Sequence, residues 1–243
     1  DGALSYLVVF PDTAPFDNID CRKAVFQAID KTTYLLAFGG ANNGEIAVSP
    51  TPAGLPGYDN TVDKIPNGAD HTGDVAAAQA SLQSCGQPDG FTTNLAYVNQ
   101  GTGPARATAV QEALARVGIT VELKAGEAET YYSEYIGSPQ SVTDNELGIA
   151  FAGWGADHPD SNGFWFAIAH GNANSDTSDS NYPNRDDDAV DAAVSHLAGH
   201  RADQGLEPVA HLVGGLVGER DGQDRHGVLA VFADQMGDAV GEH

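Results

Sequence analysis

Apolar positions recur along this chain in rhythms that change every ten to twenty residues. From Ala3 to Phe10, "ALSYLVVF" is apolar at nearly every position, the pattern of a strand covered on both faces. From Ile19 to Leu36 the spacing becomes helical: Ala24, Val25, Ala28 and Ile29 recur at three and four. That predicts one amphipathic helix, begun by Asp17 or Asn18 and stopped near Gly39 and Gly40. A shorter helix follows over residues 74 to 84, with Val75, Ala78 and Leu82 on one face and Cys85-Gly86 closing it.

Between 91 and 136 the pattern is most explicit. "FTTNLAYV" alternates as a strand, "GTGPARATAVQEALARVG" reads as a helix ended by Gly118, and "ITVELKAG" is a second strand. Strand, helix and strand with short connections favour a parallel pair with a right-handed crossover. "AETYYSEYI" reads as another helix and Leu147 to Phe151 as the next strand. The fold class is therefore α/β, a sheet flanked by helices. By contrast, Pro50, Pro52, Pro56 and Pro66 with Gly44, Gly54, Gly57, Gly68 and Gly73 leave residues 41 to 73 as a long irregular loop. A loop of that length in a compact domain has a function or wraps a surface.

The stretch from Gly148 to Asp160, "GIAFAGWGADHPD", carries an apolar strand to an edge and sets Trp154, Gly153, Gly155 and Asp157 there. In open α/β sheets ligands collect beyond the carboxyl ends of strands. Asp157 supplies charge for an ammonium group, Trp154 a cation–π or flat packing surface, and the two glycines allow close approach and positive φ. The competing reading is structural, with Trp154 covering the sheet end and Asp157 capping a turn.

Charge narrows the partners. With 34 Asp and Glu against 11 Lys and Arg, the net charge of -23 repels phosphate backbones and anionic lipid. No apolar run reaches the roughly 20 residues of a membrane span. Nucleic acid and membrane are thus poor partners, while a solubilising acidic surface accounts for the charge by itself. Cys21 and Cys85 are too few for a metal knuckle and do not form a C-x-x-C pair. They are either one disulfide between two helices of an exported protein or two buried thiols.

Five stretches occur in one order: "PFDNIDCRKAVFQAIDK", "GLPGYDN", "GDVAAAQASLQSCGQPDGF", "ARATAVQEALARVGITVELK" and "GWGADHPD" followed by "SNY". Over residues 3 to 195 this order resembles the carboxyl-terminal lobe of the extracellular solute-binding proteins of ABC importers, in the oligopeptide- and dipeptide-binding family (family 5). The resemblance implies a type II periplasmic-binding-protein lobe with a mixed sheet, no catalytic group and no cofactor. It implies an extracellular or cell-surface location, with a peptide ligand and a transporter permease as partners. By the same likeness Asp157 holds the ligand's α-ammonium, Trp154 lines the cavity beside Gly153 and Gly155, and Cys21 is bridged to Cys85.

The departures are equally specific. A complete member closes two lobes over its ligand; this chain starts at the crossing strand into the second, so the first lobe, signal peptide and lipid-attachment cysteine are expected outside it. Residues 196 to 243 do not resemble the family's end, hold five of the eight histidines, and read as an altered or replaced tail. Alternatives follow: a detached lobe acting as a protein-interaction module, or a hydrolase built on Asp157, His158, Asp160 and Ser161. The hydrolase lacks a G-x-S-x-G elbow. His196, His200 and His211 have zinc-like spacing without a protease signature, and the run Asp186-Asp187-Asp188 with Asp191 fits a helix start better than a calcium loop. "GTGPARAT" lacks G-K-[ST] and reads as a turn and helix start, not a phosphate loop.

Overall fold

The computed structural model of the chain describes residues 3–59, 61, 67–156, 158, 160–177, 180–184, 186–197 and 230–233. A mixed sheet runs through its centre in the order β3 (Thr120–Gly126), β2 (Thr92–Val98), β4 (Ile149–Gly155), β1 (Ala3–Val9), β5 (Ala230–Ala233). β2 is parallel to β3 and β4, whereas β1 is antiparallel to β4 and β5. The crossover from β2 to β3 is α4 (Gly103–Ala115), as the sequence spacing requires.

Helices and a loop cover both faces, which explains the unbroken apolar run of β1. On one face Leu7, Val9, Leu95, Ile149 and Phe151 pack beneath α1 (Ile19–Ala28), α3 (Val75–Ser84) and α4. On the other, Leu4, Tyr6, Val8, Ala150 and Ala152 pack beneath α6 (Ser161–Ala169) and α7 (Asp188–Leu197). Each Leu, Ile, Val or Phe side chain among them taken fully out of water contributes about 1.5–3 kcal/mol before entropy is charged against it. Cys21 of α1 and Cys85 after α3 are disulfide-bonded, their Cα atoms 5.4 Å apart.

Three elements differ from the sequence expectation. The helix expected from Ile19 to Leu36 is two helices: α1 stops at Ala28, Ile29 is extended, and α2 (Lys31–Phe38) begins again under an Asp30 cap that accepts the Thr33 N–H. The break is held by the loop, since Asn67 Nδ2 donates to the Ile29 carbonyl at 2.9 Å and the Lys31 N–H to the His71 carbonyl. Asn18 caps α1 and Gly39, left-handed at φ 119°, ends α2.

The helix expected over "AETYYSEYI" is a single π-helical turn, Tyr131–Tyr135, whose closing bonds run from Tyr135 to Thr130 and Ile136 to Tyr131. A six-residue helix, α5 (Pro139–Asp144), follows it. The strand expected to end at Phe151 continues to Gly155, because β1 pairs with it through Leu4↔Trp154 and Ala3↔Gly155. Trp154 is therefore inside the strand and not beyond its end.

The long loop wraps a surface. Ala47, Ser49, Thr51 and Leu55 are buried, the Lys31 ammonium donates to the Ala47 carbonyl, Trp165 Nε1 reaches Thr51 Oγ1, and Ser161 Oγ donates to the Pro56 carbonyl.

Candidate functional site

β4 delivers different chemistry to its two faces because successive side chains alternate. Ala152 and Trp154 rise on the face of α6, while Phe151, Gly153 and Gly155 belong to the other. The Trp154 indole is half-buried, and its Nε1–H is shielded from solvent and has no hydrogen-bond acceptor among the described residues. Tyr6, diagonally across on β1, ends in a second such hydroxyl. Two orphaned donors on one face, close to one strand end, are unusual enough to need a reason. Neither Gly153 nor Gly155 has a positive φ; their use here is bare surface, since a Cβ on Gly153 would meet only the Leu4 carbonyl, at 3.5 Å. Asp157 lies outside the described residues, so the structure does not join it to Trp154.

The glycine-bearing face carries a group that the sequence reading missed. Ser5 pairs with Gly153, and its Oγ lies 3.2 Å from Tyr34 Oη, which accepts from Arg106 Nη1 at 3.1 Å. The guanidinium carbon stands 4.9 Å from the Phe38 ring centre and 5.4 Å from that of Phe151. Arg106 comes from the first turns of α4, hence from the carboxyl end of β2, beside the same edge as Trp154. The available signal was a cation soon after a strand in a very acidic chain, hidden in a segment read as turn and helix start.

Aromatic groups run from this edge back along the sheet. The Tyr131 and Tyr132 rings are 5.1 Å apart, and Tyr132 stands 6.3 Å from Tyr182. Burial pushes the Tyr132 phenol above its ordinary range, with Arg106 opposing the shift and Tyr34 adding to it. Burial likewise holds the Tyr6 and Tyr131 phenols well above theirs.

The other candidates resolve into structure. Asp160 Oδ1 caps α6 through the Gly163 N–H at 2.6 Å, and Ser161 is engaged with the loop, so the hydrolase set of Asp157, His158, Asp160 and Ser161 is not assembled among the described residues. His170 does stand between Asp191 (Nδ1 to Oδ2, 3.2 Å) and Ser195 (Nε2 to Oγ, 3.2 Å). The Asn172 N–H lies 3.1 Å from the same Nδ1, so the ring ties the end of α6 to α7. Asp187 caps α7, as the acidic run suggested. Among the described residues no group of His, Cys, Asp and Glu has the arrangement of a metal site; His200 and His211 lie outside them. A cavity of about 660 Å³ lined by Phe10, Thr93, Asn94, Glu122 and Tyr182 opens at the amino ends of β2, β3 and β4, opposite Trp154. Among the described residues no helix is long and apolar enough to cross a membrane.

Comparison with known proteins gives one consistent answer. Residues 1–176 match the model of bacterial extracellular solute-binding proteins, family 5 (middle). The glutathione-binding protein GsiB of Pectobacterium atrosepticum is 31% identical over 144 residues, covering 58% of this chain and 26% of that protein. A solved structure titled clavulanic acid biosynthesis oligopeptide binding protein 2 is 33% identical with a TM-score of 0.78, covering 88% of this chain and 38% of that one. The peptide-bound DppA of Helicobacter pylori shares the fold, with a TM-score of 0.75 at 23% identity, over 96% of this chain and 42% of its own. The chain spans about a quarter of the length of the curated relatives it matches.

Proposed function

The chain belongs to the bacterial extracellular solute-binding proteins, family 5, and on that premise we propose that it is the ligand-binding lobe of an ABC importer's solute receptor, taking short peptides or similar amine-bearing solutes. It works outside the cell, delivers its ligand to a transporter permease, and catalyses nothing. The fold is that of type II periplasmic binding proteins, and in open α/β sheets ligands collect beyond the carboxyl ends of strands such as β4.

The observation that carries the reading is the end of β4: a half-buried Trp154 whose Nε1–H has no acceptor among the described residues, flanked by two glycines that leave the neighbouring backbone open. Asp157, two residues past the strand, supplies the countercharge for the ligand's ammonium group, and Trp154 the flat wall beside it. A second lobe facing this edge would bury the ligand from the other side, so the lobe alone binds more weakly.

Tryptophan fluorescence tests it. The chain has two tryptophans, and Trp165 is buried in α6, so titration with tripeptides reports on Trp154. A saturable change is expected, weakened tenfold or more in Asp157→Asn, since a charge-assisted bond is worth about 1.5–3 kcal/mol. No change with the wild-type chain, or equal binding by Asp157→Asn, overturns the reading.

A further inference from the structure

Two donors on the α6 face of the sheet are left over from folding. Tyr6 is 1% exposed, yet its Oη–H has no acceptor among the described residues, and the shielded Trp154 Nε1–H has none among them either. Tyr6 pairs with Ala152 on β4 and Trp154 with Leu4 on β1, so the two are diagonal neighbours on one face of the ladder, a spacing that aromatic side chains span. Buried polar groups are nearly always bonded. Packing alone would be served as well by phenylalanine at position 6; the hydroxyl weakens the free fold and so points to a partner that arrives from outside.

The surroundings give the chemistry of that partner. Burial holds the Tyr6 phenol well above its ordinary value, with Tyr182 and Tyr132 adding to the shift, so Tyr6 keeps its proton throughout the neutral range. An indole N–H can only donate. Both groups therefore call for an acceptor, and the acceptor is uncharged. Tyr6 lies in an apolar cluster with Phe164, Trp165 and Tyr182, while Arg106 is held on the opposite face of β4 against the Phe38 and Phe151 rings, so a carboxylate at Tyr6 would be buried without a cation. A hydrocarbon would leave both donors unpaired. An amide or hydroxyl oxygen, with two lone pairs, can accept from both.

We propose that Tyr6 Oη and Trp154 Nε1 together receive one uncharged oxygen of the ligand, so that the solute class is an amine whose neighbouring side chain ends in an amide or a hydroxyl. This rests on the peptide-binding reading above and adds to it a selection by side chain. Both donors are already out of water in the free lobe, so bonds made on binding carry little further dehydration on the protein side, and each contributes about twofold to tenfold in affinity.

The test measures tripeptide binding to the full 243-residue chain by isothermal titration calorimetry. Asn, Asp and Leu share one side-chain shape and are compared at the first and at the second position of trialanine. At one of the two positions Asn is expected to bind more tightly than Asp, and the affinity ratio of Asn to Leu is expected to fall about twofold to tenfold in Tyr6→Phe. The urea midpoint of Tyr6→Phe should equal that of the wild-type chain or exceed it, because a buried unpaired hydroxyl has been removed. An Asn-to-Leu ratio unchanged by Tyr6→Phe at both positions, or tighter binding of Asp than of Asn at both, overturns the oxygen assignment and leaves the peptide reading standing. A lower urea midpoint shows the hydroxyl to be bonded within the lobe and overturns the assignment too. If no tripeptide binds, the peptide reading fails, and the Trp154 indole N–H resonance, identified by its loss in Trp154→Phe, decides the pair alone. A downfield shift on titration with acetamide that weakens in Tyr6→Phe upholds the site for another neutral solute; no shift overturns it.

Discussion

Tyr131 Oη lies 2.8 Å from the carbonyl oxygen of Phe151 and 2.9 Å from that of Ala96, so one phenol bridges β4 and β2. The two strands pair at Leu95↔Ile149 and Ala96↔Ala150; toward their carboxyl ends the phenol stands between them. It is the floor beneath the edge that carries Trp154 and Arg106.

Removing that bridge should loosen the edge before it unfolds the lobe. Tyr131→Phe keeps the ring and strands two buried carbonyls, at a cost of about 1–3 kcal/mol. Urea denaturation should show the loss, and native-state hydrogen exchange should show it concentrated at the ends of β2 and β4.

The disulfide closes a loop with a sequence separation of 64 residues. In the chain-entropy model that contributes about 4 kcal/mol. Cys21→Ala with Cys85→Ala, or reduction by dithiothreitol, should lower the urea midpoint accordingly. Cys21 is fully buried between α1 and α3, so the double variant with alanine should also lose some packing.

Gly103 opens α4 under a tight roof: a Cβ there would come 2.0 Å from the Val98 carbonyl. Gly103→Ala should therefore displace the first turn of α4, destabilise by about 1–3 kcal/mol, and shift Arg106 with it. A lower melting temperature together with a changed near-ultraviolet ellipticity, as the Arg106 to Tyr34 contact is displaced, would be the signature. Gly101→Ala, where a Cβ meets nothing within 4 Å, controls for a general effect on the turn, although its φ of 56° carries its own strain.

Alkaline titration should separate the tyrosines. Tyr6 and Tyr131 are held well above their ordinary value by burial, and Tyr132 and Tyr135 are raised less. An acid whose folded value is raised keeps its proton longer when folded than unfolded. Stability from these phenols is thus intact below about pH 10, the unfolded value, and falls as pH rises above it. Absorbance at 295 nm should show the last phenolates appearing together with loss of far-ultraviolet ellipticity.

Local patterns reported elements that tertiary contacts leave alone. The β2, α4, β3 unit was legible because its apolar spacing and turn glycines agree with its neighbours. The break at Ile29 was not, since the apolar stripe continues through it and the cause, Asn67, is 38 residues away. The π turn is set by how Tyr131 fits between two strands, which no helical period encodes. The extension of β4 through Trp154 depends on pairing with β1. At the site, Trp154 and its glycines stood out as a strand-end cluster, and the family resemblance supplied the disulfide pairing. Arg106 was hidden because its meaning comes from Tyr34 and Ser5, distant in sequence and adjacent in space.

The alternation along β4 also limits how this protein can change length. Inserting or deleting one residue between Phe151 and Trp154 would exchange the faces, driving an indole toward Ser5, Tyr34 and Arg106 and leaving a glycine over Tyr6. A two-residue change would preserve the faces and merely move the edge outward. Length variants of this segment among members of the family should therefore come in even steps, with odd ones confined to the connections on either side.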